Sequence, residues 1–276
     1  MNDDIPYLLR GIQPVATDSS VLVSSSKYLN NAELRDWVAT HMLRRSGPDR
    51  PTTAEAYELN LIMRKIQDFD EIEKLFKAER KKNRALDAWL EERHMSTFTA
   101  KDLEQYPENS LGGIFFNEVC AKGYNIQIVP APPTPPARDI DYFMMRAGQT
   151  HDFEHLICGG GLDFLGELVP YYMRLTNLHQ HLSPELAGEL CAYSVLGSMR
   201  IMARAGLHYP HTWMTCIETM QRGIEVGRSS APIFMFKYED VFELTLEEAR
   251  EKLGVRNARY VDTSAMTAIF EERVKP

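Results

Sequence analysis

Three consecutive glycines at residues 159–161 limit how the second half of this 276-residue chain can fold. The residues on both sides follow helical spacing, and glycine both ends helices and accepts positive φ angles. We therefore predict that one helix ends at this run and that a second begins after it, with Asp163 as the capping residue. The chain would reverse its direction between the two helices.

Helix-capping residues recur along the chain and predict an all-α fold, a multi-helical single domain. Asn31 can cap a first helix that ends at Gly47. Thr245 starts a capping box, and Gly254 is a suitable C-terminal stop. The one strand-like run, residues 231–236, is short and contains a proline, so we predict no sheet.

Two stretches of the first half have their own character. The charged residues 52–93 are predicted to form two helices broken near residues 68–70. Five prolines within residues 130–136 predict an extended connector, because proline interrupts helices. We place a boundary at this connector, between two halves that can still share one core.

Composition excludes several classes of protein. The net charge is −8 and no long block of basic residues exists, which disfavours nucleic-acid binding. The four cysteines lie far apart in mostly apolar stretches, which indicates reduced thiols in a reducing compartment. The N-terminus has no leader pattern, and no uncharged apolar run reaches the roughly 18 residues of a membrane span. We expect a cytoplasmic protein.

The residues around the glycines predict a metal site. His151 and His155 are four apart and share one helical face, with Asp152 at its margin. On a continuous helix Glu167 would lie about 18 Å from His155, but a chain reversal removes that obstacle. We predict a divalent metal ion on His151, His155 and Glu167, with Asp152 as a ligand or a partner of one. The alternative is an ordinary helix with surface or core histidines.

These residues resemble a known family. His151, Asp152, His155 and Glu167 match the HDxxH, eleven residues, Glu hallmark of the Coq-four proteins of ubiquinone (coenzyme Q) biosynthesis. The resemblance covers roughly residues 95–255. Gly148 departs from it, where a basic residue is expected, and so does Phe242, where tryptophan is expected. Further matching positions are Leu103, Pro107, Glu108, Ser110, Leu111, Gly112, Tyr142, Arg146, Gly197, Arg200, Gly227, Pro232, Tyr238, Glu239, Leu253 and Gly254.

The resemblance implies an architecture and a place in the cell. It implies a helical core over residues 95–260, an N-terminal helical region over residues 1–94 and a C-terminal tail over residues 261–276. The family is attached peripherally to the membrane that holds quinone precursors. For this chain we expect the inner, cytoplasmic face of a bacterial plasma membrane.

The resemblance also implies an activity and roles for residues. The family is associated with removing the carboxyl group at ring carbon 1 of a polyprenylated 4-hydroxybenzoate-type precursor and replacing it with hydroxyl. Asp152 and Glu167 become catalytic candidates, and Tyr142, Arg146 and Arg200 become candidates for binding the substrate head group. A structural ion pair is an equal interpretation of either arginine. Zinc is the favoured cofactor, although iron or another transition metal also suits two histidines and a carboxylate.

The expected partners follow from that activity. They are a polyprenylated aromatic acid or other isoprenoid lipid, a membrane surface, other quinone-biosynthesis proteins and a second copy of the chain in a homo-oligomer. Residues 186–207 are rich in small side chains and methionine. This pattern indicates either close helix packing or a groove for an isoprenoid chain.

Three other functions compete with this interpretation. HDxxH resembles the HExxH of metallopeptidases, where a longer glutamate serves as the base in place of Asp152. It also resembles the motif of HD phosphohydrolases, which would need more widely separated ligands. A non-catalytic scaffold that binds quinone precursors would need the same ligands and groove as the enzyme, so the sequence leaves both open.

Overall fold

The computed structural model describes residues 24–46, 52–123 and 129–274, although the side chains of Thr52 and Thr53 are not described. Within these residues an isolated bridge between Ser110 and Thr245 is the only β-type pairing, and there is no strand. The prediction of an all-α fold is confirmed. The helices are α1 Ala32–Leu43, α2 Thr52–Ile66, α3 Phe69–Arg80, α4 Arg84–Glu92, α5 Ala100–Glu104, α6 Leu111–Phe115, α7 Asp139–Cys158, α8 Leu168–His181, α9 Pro184–His208, α10 Trp213–Ser229, α11 Leu246–Leu253 and α12 Ser264–Phe270.

Two of the predicted capping residues, Asn31 and Thr245, cap helices as expected. The Asn31 side chain accepts a hydrogen bond from the Leu34 amide at 2.9 Å. Thr245 makes the predicted capping box at the start of α11, which ends at Gly254 with a φ of 74°. Helix α1 ends at Leu43, and Gly47, its predicted end, lies outside the described residues.

The prediction of two helices over residues 52–93 is wrong, because three form there. The first break lies where it was predicted, and Asp68 caps α3 by accepting from the Glu71 amide. A second break follows Arg80, where Asn83 caps α4 by accepting from the Leu86 amide at 3.1 Å. The charged residues around this break include no glycine or proline. In the sequence, only the capping residue Asn83 indicated the boundary between α3 and α4.

Helix α8 lies at the centre of the molecule, between α9 and α10. Gly223 and Gly227 let α10 approach α8 closely. A Cβ atom at Gly223 would lie 2.5 Å from the Val169 carbonyl oxygen, and one at Gly227 would collide with Thr176. On the other side Gly197 of α9 contacts the Tyr171 ring, so small residues serve close packing at this position.

The N-terminal helices share hydrophobic cores with the rest of the chain. Phe76 and Trp89, from α3 and α4, pack in one buried cluster with Phe143 of α7. Helices α1 and α2 cover α9, where Trp37 joins Leu196 in a second cluster. The described residues therefore form one domain. No helix among them is both long and apolar enough to cross a membrane.

Candidate metal centre

Helix α7 ends at the glycine run, as the sequence predicted. Gly159 adopts a φ of 85°, and its amide donates to the Leu156 carbonyl at 3.3 Å. The Gly160 amide donates to the His155 carbonyl at 2.8 Å, which satisfies a carbonyl of the last turn. A side chain at Gly159 would come within 2.5 Å of the Arg259 carbonyl oxygen. Glycine alone tolerates both the positive φ angle and this close approach, and it therefore allows the chain to reverse its direction here.

A tight turn then leads to Glu167. The Asp163 carboxylate accepts from the Gly166 amide at 3.1 Å and from the Thr263 hydroxyl at 2.7 Å. The Thr267 hydroxyl donates to the same carboxylate. Asp163 therefore caps this turn, whereas α8 begins four residues beyond the predicted start, at Leu168, directly after Glu167.

The reversal brings three predicted ligands together. The Nε2 atoms of His151 and His155 lie 3.4 Å apart. The two Glu167 carboxylate oxygens lie 3.4 Å from His151 Nε2 and 3.5 Å from His155 Nε2. Bonds of about 2.0–2.1 Å to a tetrahedral ion place neighbouring ligand atoms about 3.3 Å apart, so these spacings fit such an ion. His155 is buried, but the side chains of His151 and Glu167 are 23% and 29% exposed, which leaves one side open.

The orientation of His155 also fits a metal ligand. Its Nδ1 atom lies 2.7 Å from the Gly161 carbonyl oxygen, which can only accept a hydrogen bond. The ring proton therefore sits on Nδ1, and the lone pair of Nε2 faces His151 and Glu167. An anchored second nitrogen is typical of metal-binding histidines.

Glu167 and the two histidines interact electrostatically. Burial alone would lower the pKa of His151, but the Glu167 carboxylate outweighs it and raises the pKa above its ordinary value. Burial alone would raise the pKa of Glu167, but the two histidines hold that pKa well below its ordinary value. A positive charge at this point, on a protonated histidine or on a metal ion, would stabilise the Glu167 carboxylate.

Three other predicted residues lie outside this ligand group. Asp152 is half-buried beside His151 and does not join the group of potential ligands found among the described residues. Tyr142 is fully buried within the N-terminal half of α7. Arg146 is also buried and donates to Ser96 Oγ at 2.7 Å and to the Phe236 carbonyl at 3.0 Å.

Arg200 lies in a buried ion pair. It donates to Glu55 of α2 at 2.8 Å, and its guanidinium group covers the Phe164 ring. These contacts fit the interpretation of Arg200 as a member of a structural ion pair. Glu55 was missed in the sequence, because nothing near it in the chain indicates that it meets α9.

Arg174 and Glu154 were also missed. The Arg174 Nε atom donates to the Glu154 carboxylate at 2.6 Å. Two signals in the sequence were available. Arg174 is seven residues after Glu167 and so lies on the same helical face, and Glu154 adjoins His155 in an apolar stretch.

Comparison with known proteins identifies the family. Residues 81–259 match the family described as Coenzyme Q (ubiquinone) biosynthesis protein Coq4. The chain belongs to this family. As a Coq4 family member it has a role in ubiquinone biosynthesis, alongside the other proteins of that pathway. No curated protein matches the chain at a significant level.

One solved structure has a similar fold to this Coq4 family member. It is the crystal structure of a protein from Nostoc punctiforme PCC 73102 named as a candidate ubiquinone biosynthesis protein. The two chains share 21% sequence identity with a TM-score of 0.57, and the similarity covers 82% of this chain and 99% of that one. At this identity the likeness shows a common fold.

Proposed function

We propose that this protein is a metal-dependent enzyme acting on a polyprenylated 4-hydroxybenzoate-type precursor of ubiquinone. The ring carboxyl group at carbon 1 would leave as carbon dioxide and hydroxyl would replace it. This exchange is a two-electron oxidation, so an oxidant such as dioxygen is also consumed. The proposal rests on the convergence of His151, His155 and Glu167 around one half-open point.

The three converging side chains suit a divalent ion. Zinc is the favoured occupant, and iron or another transition metal is compatible with the same ligands. When bound, the ion supplies a Lewis acid for a carboxylate or an oxygen species. The Gly161 carbonyl keeps the His155 ring in the tautomer that such a ligand needs.

The neighbouring side chains provide head-group binding and proton transfer. The buried donors without a hydrogen-bond partner among the described residues include the Tyr142 hydroxyl, Arg146 Nε and Arg200 Nε. We propose that they contribute to the head-group site, since an unpaired buried donor is costly until a ligand satisfies it. Asp152 either shuttles a proton or orients the His151 ring.

A scaffold that binds quinone precursors without catalysis is the second candidate function. The observation that favours it is that both terminal nitrogens of Arg146, and Nη1 of Arg200, donate to structural partners. Fewer of their N–H groups therefore remain to bind a substrate carboxylate. Such a scaffold would still carry the metal centre and serve other quinone-pathway enzymes.

Metal content tests the ligand set. We expect one equivalent of divalent metal in the purified protein and strong depletion in His155→Ala and Glu167→Ala, because each variant removes one of three ligands. His179→Ala is the matched control, since His179 is exposed on the last turn of α8. Elemental mass spectrometry measures the outcome, and full retention of metal by both ligand variants would reject the site.

Quinone synthesis separates the enzyme from the scaffold. A strain that lacks this gene and carries Glu167→Ala should accumulate the carboxylated precursor and make little ubiquinone. His179→Ala should restore normal synthesis. Normal ubiquinone from Glu167→Ala at wild-type expression would reject catalysis and favour the scaffold.

We further propose that the protein docks on the inner face of the plasma membrane through the corner where α9 meets α10. Leu207 and Met214 are 73% and 72% exposed at this corner, and Trp213 lies between them. Arg45 borders this corner, since it donates to the His208 carbonyl while it also forms an ion pair with Glu272. The exposed apolar side chains suit insertion at a membrane interface. Homo-oligomer formation stays a prediction.

A further inference from the structure

The guanidinium group of Arg174 is fixed by two contacts with α7. Its Nε and Nη2 atoms donate to the two carboxylate oxygens of Glu154 at 2.6 and 3.0 Å. Nη2 also donates to the Ala147 carbonyl at 2.7 Å. Glu154 is itself buried and accepts from the Thr150 hydroxyl at 3.2 Å. The guanidinium plane therefore has little freedom to turn.

These contacts place the guanidinium group beside His151. Ala147 precedes His151 by four residues and Glu154 follows it by three, so all three positions share one face of α7. On α8, Arg174 follows Glu167 by seven residues, which separates their backbones by about 20° around the helix axis and about 10 Å along it. The contacts with Ala147 and Glu154, on either side of His151, bring the guanidinium group to the margin of the metal centre.

One nitrogen of Arg174 is available to a ligand. Nη1 has no hydrogen-bond partner among the described residues, and the side chain as a whole is 20% exposed. The Glu154 carboxylate accepts hydrogen bonds from the other two nitrogens, Nε and Nη2. Arg146 and Arg200 differ, because both are buried. Arg146 donates from both terminal nitrogens, and Arg200 donates from Nη1 to Glu55.

We propose that Arg174 forms an anion-binding subsite beside the metal centre and that its ligand is the carboxylate of an aromatic acid. One N–H group of Nη1 would donate to a carboxylate oxygen, with Glu154 as the residue that positions it. The subsite rests on the proposed function for the identity of its ligand. It adds a residue that selects the acid over the decarboxylated phenol.

Calorimetry with a matched pair of ligands tests this subsite. The acid is 3-geranyl-4-hydroxybenzoate and the control is 2-geranylphenol, which lacks the carboxylate. We expect the wild-type protein to prefer the acid. Arg174→Gln should weaken binding of the acid about ten- to a hundredfold, the range of a hydrogen bond to a charged group, and leave binding of the phenol unchanged. Arg174→Lys should lie between the two.

A second variant keeps the test valid if Arg174→Gln does not fold, since that change leaves Glu154 buried without its partner. The double variant Glu154→Gln, Arg174→Gln removes both charges together and should show the same selective loss for the acid. Equal binding of the acid by wild type and either folded variant would overturn the subsite. Inorganic phosphate that binds as tightly as the acid and competes with it would overturn the assignment to a carboxylate.

Failure of the subsite is distinguishable from failure of the proposed function. Metal content is measured on each variant before titration, and Arg174→Gln should keep the wild-type metal content. A wild-type protein that holds metal but binds acid and phenol equally would overturn the subsite and leave the metal centre standing. A wild-type protein without metal would contradict the proposed metal-dependent activity. In that case, loss of the acid preference in Arg174→Gln would still support the subsite.

Discussion

A single backbone carbonyl sets the direction of the His155 ring. The Gly161 oxygen accepts the Nδ1 proton, and its own position depends on the turn that follows. Gly166 closes this turn, and a Cβ atom added to Gly166 would collide with the Gly161 carbonyl group. The absence of a side chain at Gly166 therefore bears on a metal ligand eleven residues earlier in the chain.

Gly166→Ala should weaken metal binding without touching a ligand. The added methyl group displaces the Gly161 carbonyl from His155, and loss of such a supporting contact typically costs about 10- to 100-fold in metal affinity. Competition with a chelator measures the change. Gly188→Ala on α9 is the control, because no atom lies within 4 Å of its added methyl group. We expect wild-type metal affinity there; equal affinities for both variants would contradict the role of the carbonyl.

The grouping of His151, His155 and Glu167 could be predicted from the sequence because their chemistry and spacing are local. The two histidines share a helical face by periodicity, and the glycines before Glu167 permit a reversal of the chain. The contact between Arg174 and Glu154 could not be predicted in the same way. It depends on how α7 and α8 cross, and that crossing is set by packing along their whole length.

At the scale of elements, a buried charge cluster joins the N-terminal helices to α9. Glu55 of α2 accepts from Arg200 and Arg204, each at 2.8 Å, and lies 3.2 Å from His41 Nδ1 of α1. Burial alone would raise the pKa of Glu55, but His41 and the two arginines together hold that pKa below its ordinary value. The carboxylate therefore stays charged at neutral pH.

Glu55→Ala should lower the free energy of unfolding by about 3–5 kcal/mol, because it leaves two buried guanidinium groups without their carboxylate. Urea denaturation measures the loss. Glu33→Ala is the control, since it also removes an ion pair between α1 and α2. Glu33 and Lys65 are exposed, so we expect a loss of at most about 1 kcal/mol. Similar small losses in both variants would show that α2 does not depend on the buried cluster.

The same cluster gives a pH dependence of known sign. A carboxylate whose pKa is lower in the folded state contributes stability above its unfolded pKa, about 4.3 for glutamate. That contribution is lost as the pH falls from this value through the folded pKa. The stability difference between wild type and Glu55→Gln should therefore shrink below about pH 4.3. A constant difference across the acid range would contradict it.

Element boundaries were predictable where a cap or a glycine marks them. Thr245 and Gly254 bound α11 as predicted, whereas the end of α3 was missed because the charged residues around Asn83 continue the helical pattern. Residues 231–236 contain a 3₁₀ turn, Ile233–Met235, and no strand, as expected. The attachment of α1 and α2 to α9 was unpredictable, since it joins residues far apart in the chain.

At the scale of the whole molecule, the exposed apolar corner should govern attachment to membranes. We expect the wild-type protein to float with vesicles that contain anionic lipid. Leu207→Glu with Met214→Glu should reduce flotation several-fold, because it replaces apolar contacts with charges that the anionic surface repels. Flotation on a density gradient measures the bound fraction.

A matched double variant controls for charge. Tyr57→Glu with Leu61→Glu adds the same two charges on α2, where both side chains are exposed. This protein should float like the wild type. Equal flotation of the two double variants would remove the corner as the docking surface.

The contacts of Asp163 show where the smallest functional chain must end. The family match stops at residue 259, yet Thr263 and Thr267 hold the carboxylate that caps the turn before Glu167. The Thr267 hydroxyl also accepts from the Leu165 amide at 3.2 Å, and Phe270 is buried behind it. A truncated protein cut at the family boundary would keep His151, His155 and Glu167 but lose the two threonine contacts that hold the turn before Glu167. Shortened versions for crystallisation or assay therefore need to extend through Phe270.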